Sequence, residues 1–365
     1  MQKIDDSILK TKPHFDILDG LRGVAALAIV VFHFMEWVFF SDYRKNFIGH
    51  GFLAVDFFFC LSGFVIAYAY DDRITKIGIM EFFKSRLIRL HPLVILGSVL
   101  GLLAFLFDPF GSAVATYSAG KIVLIFLASI FLIPFPVMED RFYNLFGLNA
   151  PSWSLFWEYV ANIFYAFILC KLDRRFLFFL ALLSAIALCF VSYRAESLVG
   201  GWDGKSFWDG AARISYSFLA GMIIYRYNWI IKNKFGFIGM SILLLLVFFI
   251  PRTKSDWLIE ATIVLFYFPL LISLGAGTAM TINFKKLCVF SGKISYPLYM
   301  THYAAIWIFG NYYSNHKVGT IQLIFIVTIS IAVLIGIAYL AMMVYDIPIR
   351  KYFSEKRRKI EGFSE

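Results

Sequence analysis

Charge is scarce in this sequence. Asp, Glu, Lys and Arg make up 16% of its 365 residues, while 60% are hydrophobic. A water-soluble domain of that length needs far more polar surface around its core, so that class is excluded. Cysteine is scarce as well, at four. Cys60, Cys170, Cys189 and Cys288 each lie in or beside an apolar run without metal-ligand spacing, which reads as thiols packing as small hydrophobes. No metal and no resident cofactor are expected. There is no small-residue cleavage site before the first apolar run, so the first helix reads as its own insertion signal. No internal repeat is visible, which weakens a transporter reading without removing it. Long polar stretches are absent too. The expectation is one membrane-embedded domain over 1–365, with a short cytoplasmic arm at 1–15 and a basic tail at 348–365.

What the chain does have is apolar length. Mean hydropathy is +0.75, and 20 Tyr and 8 Trp suit the headgroup level of a bilayer. Apolar runs fall at 17–40, 49–70, 91–108, 121–137, 152–171, 176–193, 211–230, 236–250, 258–277, 294–313 and 320–346. If all of these crossed from a cytoplasmic N-terminus, Lys171, Arg174 and Arg175 would lie outside, as would Arg226, Lys232 and Lys234. That violates the positive-inside rule repeatedly. The weak run is 121–137, continuously apolar only from Ile122 to Ile133 before Pro134 and Pro136, too short for a relaxed span. Reading it as re-entrant or interfacial gives an all-α integral membrane protein of about ten spans, both termini cytoplasmic, with most Lys and Arg inside. The net charge of +10 then reports orientation. The partners expected on that ground are membrane lipids and not nucleic acid, and the expected location is the plasma (inner) membrane, multi-pass.

Several ionisable residues sit where lipid alone would not tolerate them. Arg22 and His33 are eleven residues apart, which places them within about 20° on one helical face and about 16 Å apart along the axis. Glu36 lies one turn beyond. A snorkelling arginine and a packed, satisfied histidine would explain the same residues. Depth adds to the case: His33, Asp56 and Glu158 each lie six or seven residues from the outer end of their runs, and a shared level points to one polar chamber. On the cytoplasmic side KSRLIRLHPL carries Lys84, Arg86, Arg89 and His91. Arg86 and Arg89 share a face and suit phosphates, though an anchor for lipid headgroups fits by charge alone. Further on, KISYPLYMTHYAAIW places Ser295, Tyr296, Tyr299 and His302 together, either as an interfacial girdle or as the chamber's far wall.

In order, these segments resemble the membrane-embedded acyltransferase-3 family. LDGLRGVAALAIVVFHF carries its Arg, ten residues, His pattern as Arg22 and His33. VDFFFCLSGFVIA, RLIRLHP, WSLFWEYVANIFYAF with Trp153 and Glu158, RISYSFLAGMIIY and ISYPLYMTHYAAI follow, from residue 16 to about 308. The resemblance implies transfer of an acyl group, often acetyl, from cytoplasmic acyl-CoA to a hydroxyl on a membrane-handled acceptor such as a cell-surface polysaccharide or glycolipid. Some members add a soluble esterase-like domain. This chain is expected to complete transfer within its membrane domain.

Esterifying an alcohol with a thioester needs a base and an oxyanion stabiliser. His33 is the expected base, with Glu158 or Asp56 orienting it or the acceptor. Arg86 and Arg89 are expected at the CoA phosphates, and Arg22 at a phosphate or along the pantetheine arm. Tyr296, Tyr299, His302 and Trp153 are expected at the chamber wall or the acceptor. Trp202 and Trp208 either stack on sugar rings or anchor the interface. Glu36 matches no family position. The rival readings are a transporter or flippase, using the buried groups for protons or anions, and a non-catalytic scaffold.

Overall fold

The computed structural model describes residues 14–280 and 282–360. Most of the arm expected at 1–15, and the last five residues of the tail, lie outside them.

Helices joined by turns make up the fold, and two isolated bridges, Asn144 with Asp203 and Asn233 with Thr278, are the only β pairing among the described residues. Seven helices are long and apolar enough to cross a membrane. Among them are α1 (Asp16–Val38), α2 (Ala54–Tyr70) and α3 (Ile79–Phe107). The run at 121–137 gives only the 12-residue α4 (Ala119–Ile130), after which the chain turns irregular through Pro134 and Pro136. Then come α5 (Ser152–Phe167), α6 (Arg174–Ala195) and α7 (Phe207–Arg226). The 20-residue α7 carries Asp209 and Arg213, and is not among the seven. A short α8 (Gly236–Phe248) precedes α9 (Asp256–Gly277), whose middle turn, Ile263–Tyr267, is π-helical. There Tyr216 Oη donates to Leu265 O at 2.6 Å.

The run at 294–313 does not form one helix. It splits into α10 (Ile282–Thr301) and α11 (Tyr303–Asn315), with the break at His302. Pro297 supplies no amide hydrogen inside α10, and after it the His302 ring reaches back through Nδ1 to the carbonyls of Leu298 and Tyr299, at 3.1 and 2.9 Å. Helix α12 (Thr320–Leu340) runs through a π-helical turn into α13 (Ile347–Ile360). The part of the basic tail that is described is thus helical.

Packing follows small residues. Between α2 and α7, a Cβ on Gly63 would meet Phe218 O at 1.9 Å, and one on Gly221 would meet Cys60 O at 1.9 Å. These backbones touch, as membrane helices do where glycines face each other. The outer helices present apolar side chains outward: only 22% of the apolar window of α6 and 11% of that of α12 is buried. Of the cysteines, Cys60 and Cys288 pack inside, Cys170 is half-buried and Cys189 is exposed on this lipid-facing surface, so the buried-thiol expectation fails for Cys189.

Candidate functional site

Helix α1 passes between two cavities. The first, about 330 Å³, is lined by Arg22, Ser62, Arg86, Arg89, Glu158 and Tyr296, with Asp19 and Lys293 nearby. The second, about 260 Å³, is lined by His33 and Glu36 together with Trp37, Phe142, Arg141, Trp153, Trp202, Tyr303 and Trp307. Val55 and Tyr299 line both, so the cavities meet there. The single chamber expected from depth is two compartments, with Glu158 at the first, His33 at the second and Asp56 at neither.

Glu158 lies in the first cavity and not beside His33. Its Oε1 accepts from Arg86 Nη2 at 2.6 Å and from Ser62 Oγ at 3.0 Å. Arg86 is buried, with its charge matched by this carboxylate, whereas Arg89 is exposed. The two arginines expected to act as a phosphate pair therefore stand in different environments. Arg22 lies 3.5 Å from Asp19, a long contact that leaves most of its guanidinium toward the cavity. Lys84 pairs outside the cavity with Glu81 at 2.6 Å.

Asp56 lines neither cavity. It is buried against Arg213, whose Nε and Nη2 reach its two oxygens at 3.0 and 2.6 Å. Arg213 also donates to Gly200 O at 2.7 Å and stacks its guanidinium 5.0 Å over the Trp153 ring. A carboxylate so occupied clamps α2 to α7 and is not free to orient a base. The expectation that Asp56 faces His33 is corrected on that ground.

The carboxylate at His33 is Glu36, whose Oε2 lies 2.6 Å from His33 Nδ1. An ionised carboxylate only accepts, so Nδ1 is the donor in this contact and Nε2 is the nitrogen left for other partners. Behind His33, the ring of His302 stacks at 5.4 Å and 23°. Nδ1 of His302 faces two carbonyls and so donates, leaving a buried Nε2 that has no hydrogen-bond partner. Tyr303 meets His33 edge-on at 5.0 Å. Tyr299 Oη exchanges a hydrogen bond with Ser154 Oγ at 2.8 Å. His302 lines neither cavity, and Tyr296 reaches only the first, donating to Leu90 O at 2.6 Å.

Aromatic rings form most of the second cavity. Trp37 and Trp307 meet at 5.6 Å, and Arg141 stacks 4.0 Å over Trp307. Burial pushes the Arg141 pKa down, while the carboxylates of Asp140 and Asp108 oppose that. Phe142 and Tyr143 hold left-handed φ values of 54° and 52°, a strain of about 1–3 kcal/mol each that is found at ligand clamps. Trp202, in the loop before α7, reaches the cavity, whereas Trp208, in the first turn of α7, is exposed beside Phe207 and Trp157. Reading the sequence missed Arg141, Phe142 and Trp307. These come from turns and a helix break that carry no periodic signal.

A separate buried cluster joins His50, Asp256 and Glu260, whose potential ligand atoms lie within 4.8 Å of one another. Arg252 Nη1 donates into both carboxylates, at 2.9 and 2.8 Å, which makes the cluster an ion-pair network.

The acyltransferase-3 family model, described as an acyltransferase domain, matches residues 15–343. Protein 2 in the picA locus of Rhizobium radiobacter is 37% identical over 163 residues, 42% of this chain and 81% of that protein. The O-acetyltransferase OatA of Staphylococcus aureus is 24% identical over 366 residues, covering 92% of this chain. The chain spans 57% of OatA's length. No solved structure matches.

Proposed function

The chain belongs to the acyltransferase-3 family, and from that premise we propose that it moves an acetyl group from cytoplasmic acetyl-CoA to a hydroxyl of a carbohydrate at the outer face. The observation that carries this reading is the meeting of two unlike cavities at Val55 and Tyr299. One sets Arg22, Arg86, Arg89, Lys293 and Arg350 among the carboxylates of Asp16, Asp19, Glu158 and Asp346, and its free guanidinium groups suit a phosphorylated donor. The other is aromatic, carries His33 and suits a sugar ring. The topology that goes with it has ten spans and both termini cytoplasmic, with the first cavity opening inward.

In this mechanism the thioester reaches the junction past Arg22, while Arg86 and Glu158 fix the cavity wall. The acceptor hydroxyl lies in the second cavity against His33. Nε2 of His33 removes its proton as the oxygen attacks the thioester carbonyl, and Glu36 holds the ring in the required tautomer and stabilises the imidazolium. Tyr299 Oη, at the junction, donates to the oxyanion. When the carbon–sulfur bond breaks, the proton passes from His33 to the CoA sulfur, leaving an ester and free CoA. His302, stacked behind His33, holds the plane of its ring. A transporter or flippase would use the same buried groups but is not the chemistry this family is named for.

The test uses purified protein, labelled acetyl-CoA and a cell-envelope glycan extract. Wild type should form an alkali-labile labelled ester, and His33→Ala should form none while binding CoA normally. Turnover retained in His33→Ala would remove the base assignment.

A further inference from the structure

The segment expected as a basic cytoplasmic tail is the helix α13, which turns a basic face toward the protein. Ile347, Arg350, Lys351, Ser354 and Arg357 recur at helical spacing and line one cavity of about 370 Å³ against Arg89 of α3. A helix that served only to anchor lipid headgroups would present such a face outward. Among the described residues this cavity is lined by four cations and no carboxylate. Arg350 has Asp346 at 3.2 Å, and Arg357 faces Glu81 through Nε at 3.7 Å, too long for a hydrogen bond. Lys351 has Glu355 at 3.9 Å, so three of the four cations have a carboxylate partner, but none of those carboxylates lines the cavity.

Arg89 and Arg350 line this cavity and the first one alike, so the two adjoin there. An occupant would have to be highly anionic at one end and slender enough at the other to run on toward Val55 and Tyr299. Acyl-CoA has that form: a 3′-phosphorylated adenosine diphosphate on a pantetheine arm. We infer that Arg89, Arg350, Lys351 and Arg357 bind the phosphates of the donor, so that α13 is the outer wall of the donor site. The inference rests on the acyl-CoA reading above. It assigns Arg89 to the phosphates and leaves Arg86 to Glu158. Guanidinium groups suit such phosphates through bidentate bonds.

Full-length protein in phosphatidylcholine nanodiscs would be titrated with CoA, with dephospho-CoA, which lacks the 3′-phosphate, and with pantetheine. Wild type should prefer CoA to dephospho-CoA. Arg350→Gln with Arg357→Gln should weaken CoA binding about tenfold or more and close that gap, with pantetheine binding unchanged. Lys351→Gln, at an exposed position, should weaken CoA binding in the same direction even if the double variant fails to fold. Variants that bind CoA as wild type does would overturn the inference while leaving the donor reading intact. A wild type that binds no CoA would overturn both. If the variants keep CoA affinity but lose binding to phosphatidylglycerol vesicles, the basic face serves lipid headgroups and the inference falls.

Discussion

Between His33 and Glu36, a contact of 2.6 Å decides which imidazole nitrogen can act as a base. Glu36→Gln should keep the protein folded and its CoA affinity unchanged. Its turnover with labelled acetyl-CoA should fall about 10²–10⁴-fold, the usual worth of positioned acid–base chemistry. A kcat within a factor of two of wild type would show that the pair is structural. Asp56 and Arg213 form the opposite kind of pair, fully buried with their hydrogen bonds satisfied by each other and by Gly200. Arg213→Ala strands a buried carboxylate and should lower stability by about 3–5 kcal/mol, read as a large fall in melting temperature, and Asp56→Asn in the same chain should recover part of it. Much of this site was legible as residue types. Arg22 and His33 stand out in an apolar run, and the i, i+3 spacing of Glu36 was in plain view. What could not be read was pairing. Arg213 lies 157 residues from Asp56, and Glu158 and His33 share a depth but face different spaces, because depth along a helix says nothing about its rotation.

Helices were easier to read than their interruptions. The long apolar runs became α1, α2, α3, α5, α6, α9 and α12, since length and hydropathy alone set them. The run at 294–313 broke at His302, a residue with no helix-breaking signature, whose ring competes for the carbonyls of Leu298 and Tyr299. That break sets His302 and Tyr303 against His33, so an irregularity that periodicity cannot register shapes the site. The α2–α7 contact makes a sharp prediction. With Cys60 O 1.9 Å from where a Cβ on Gly221 would sit, Gly221→Leu must push the helices apart, at about 1–3 kcal/mol or more for overpacking. Lower melting temperature together with lost transfer is the expected outcome, and an unchanged melting temperature would contradict the close approach.

Taken together, the helices enclose a donor space and an acceptor space that touch at Val55 and Tyr299. A bulky side chain there should separate them. Val55→Phe is expected to keep CoA binding yet cut ester formation by at least tenfold, whereas unimpaired ester formation would place the reaction elsewhere. If the two spaces open to opposite faces, the chemistry has a direction. Membrane vesicles of both orientations, prepared from expressing cells and given impermeant labelled acetyl-CoA from outside, measure this directly. The account predicts alkali-labile label in envelope glycan only in inverted vesicles, whose cytoplasmic face meets the donor. Equal labelling in both orientations, or labelling only in right-side-out vesicles, would contradict it.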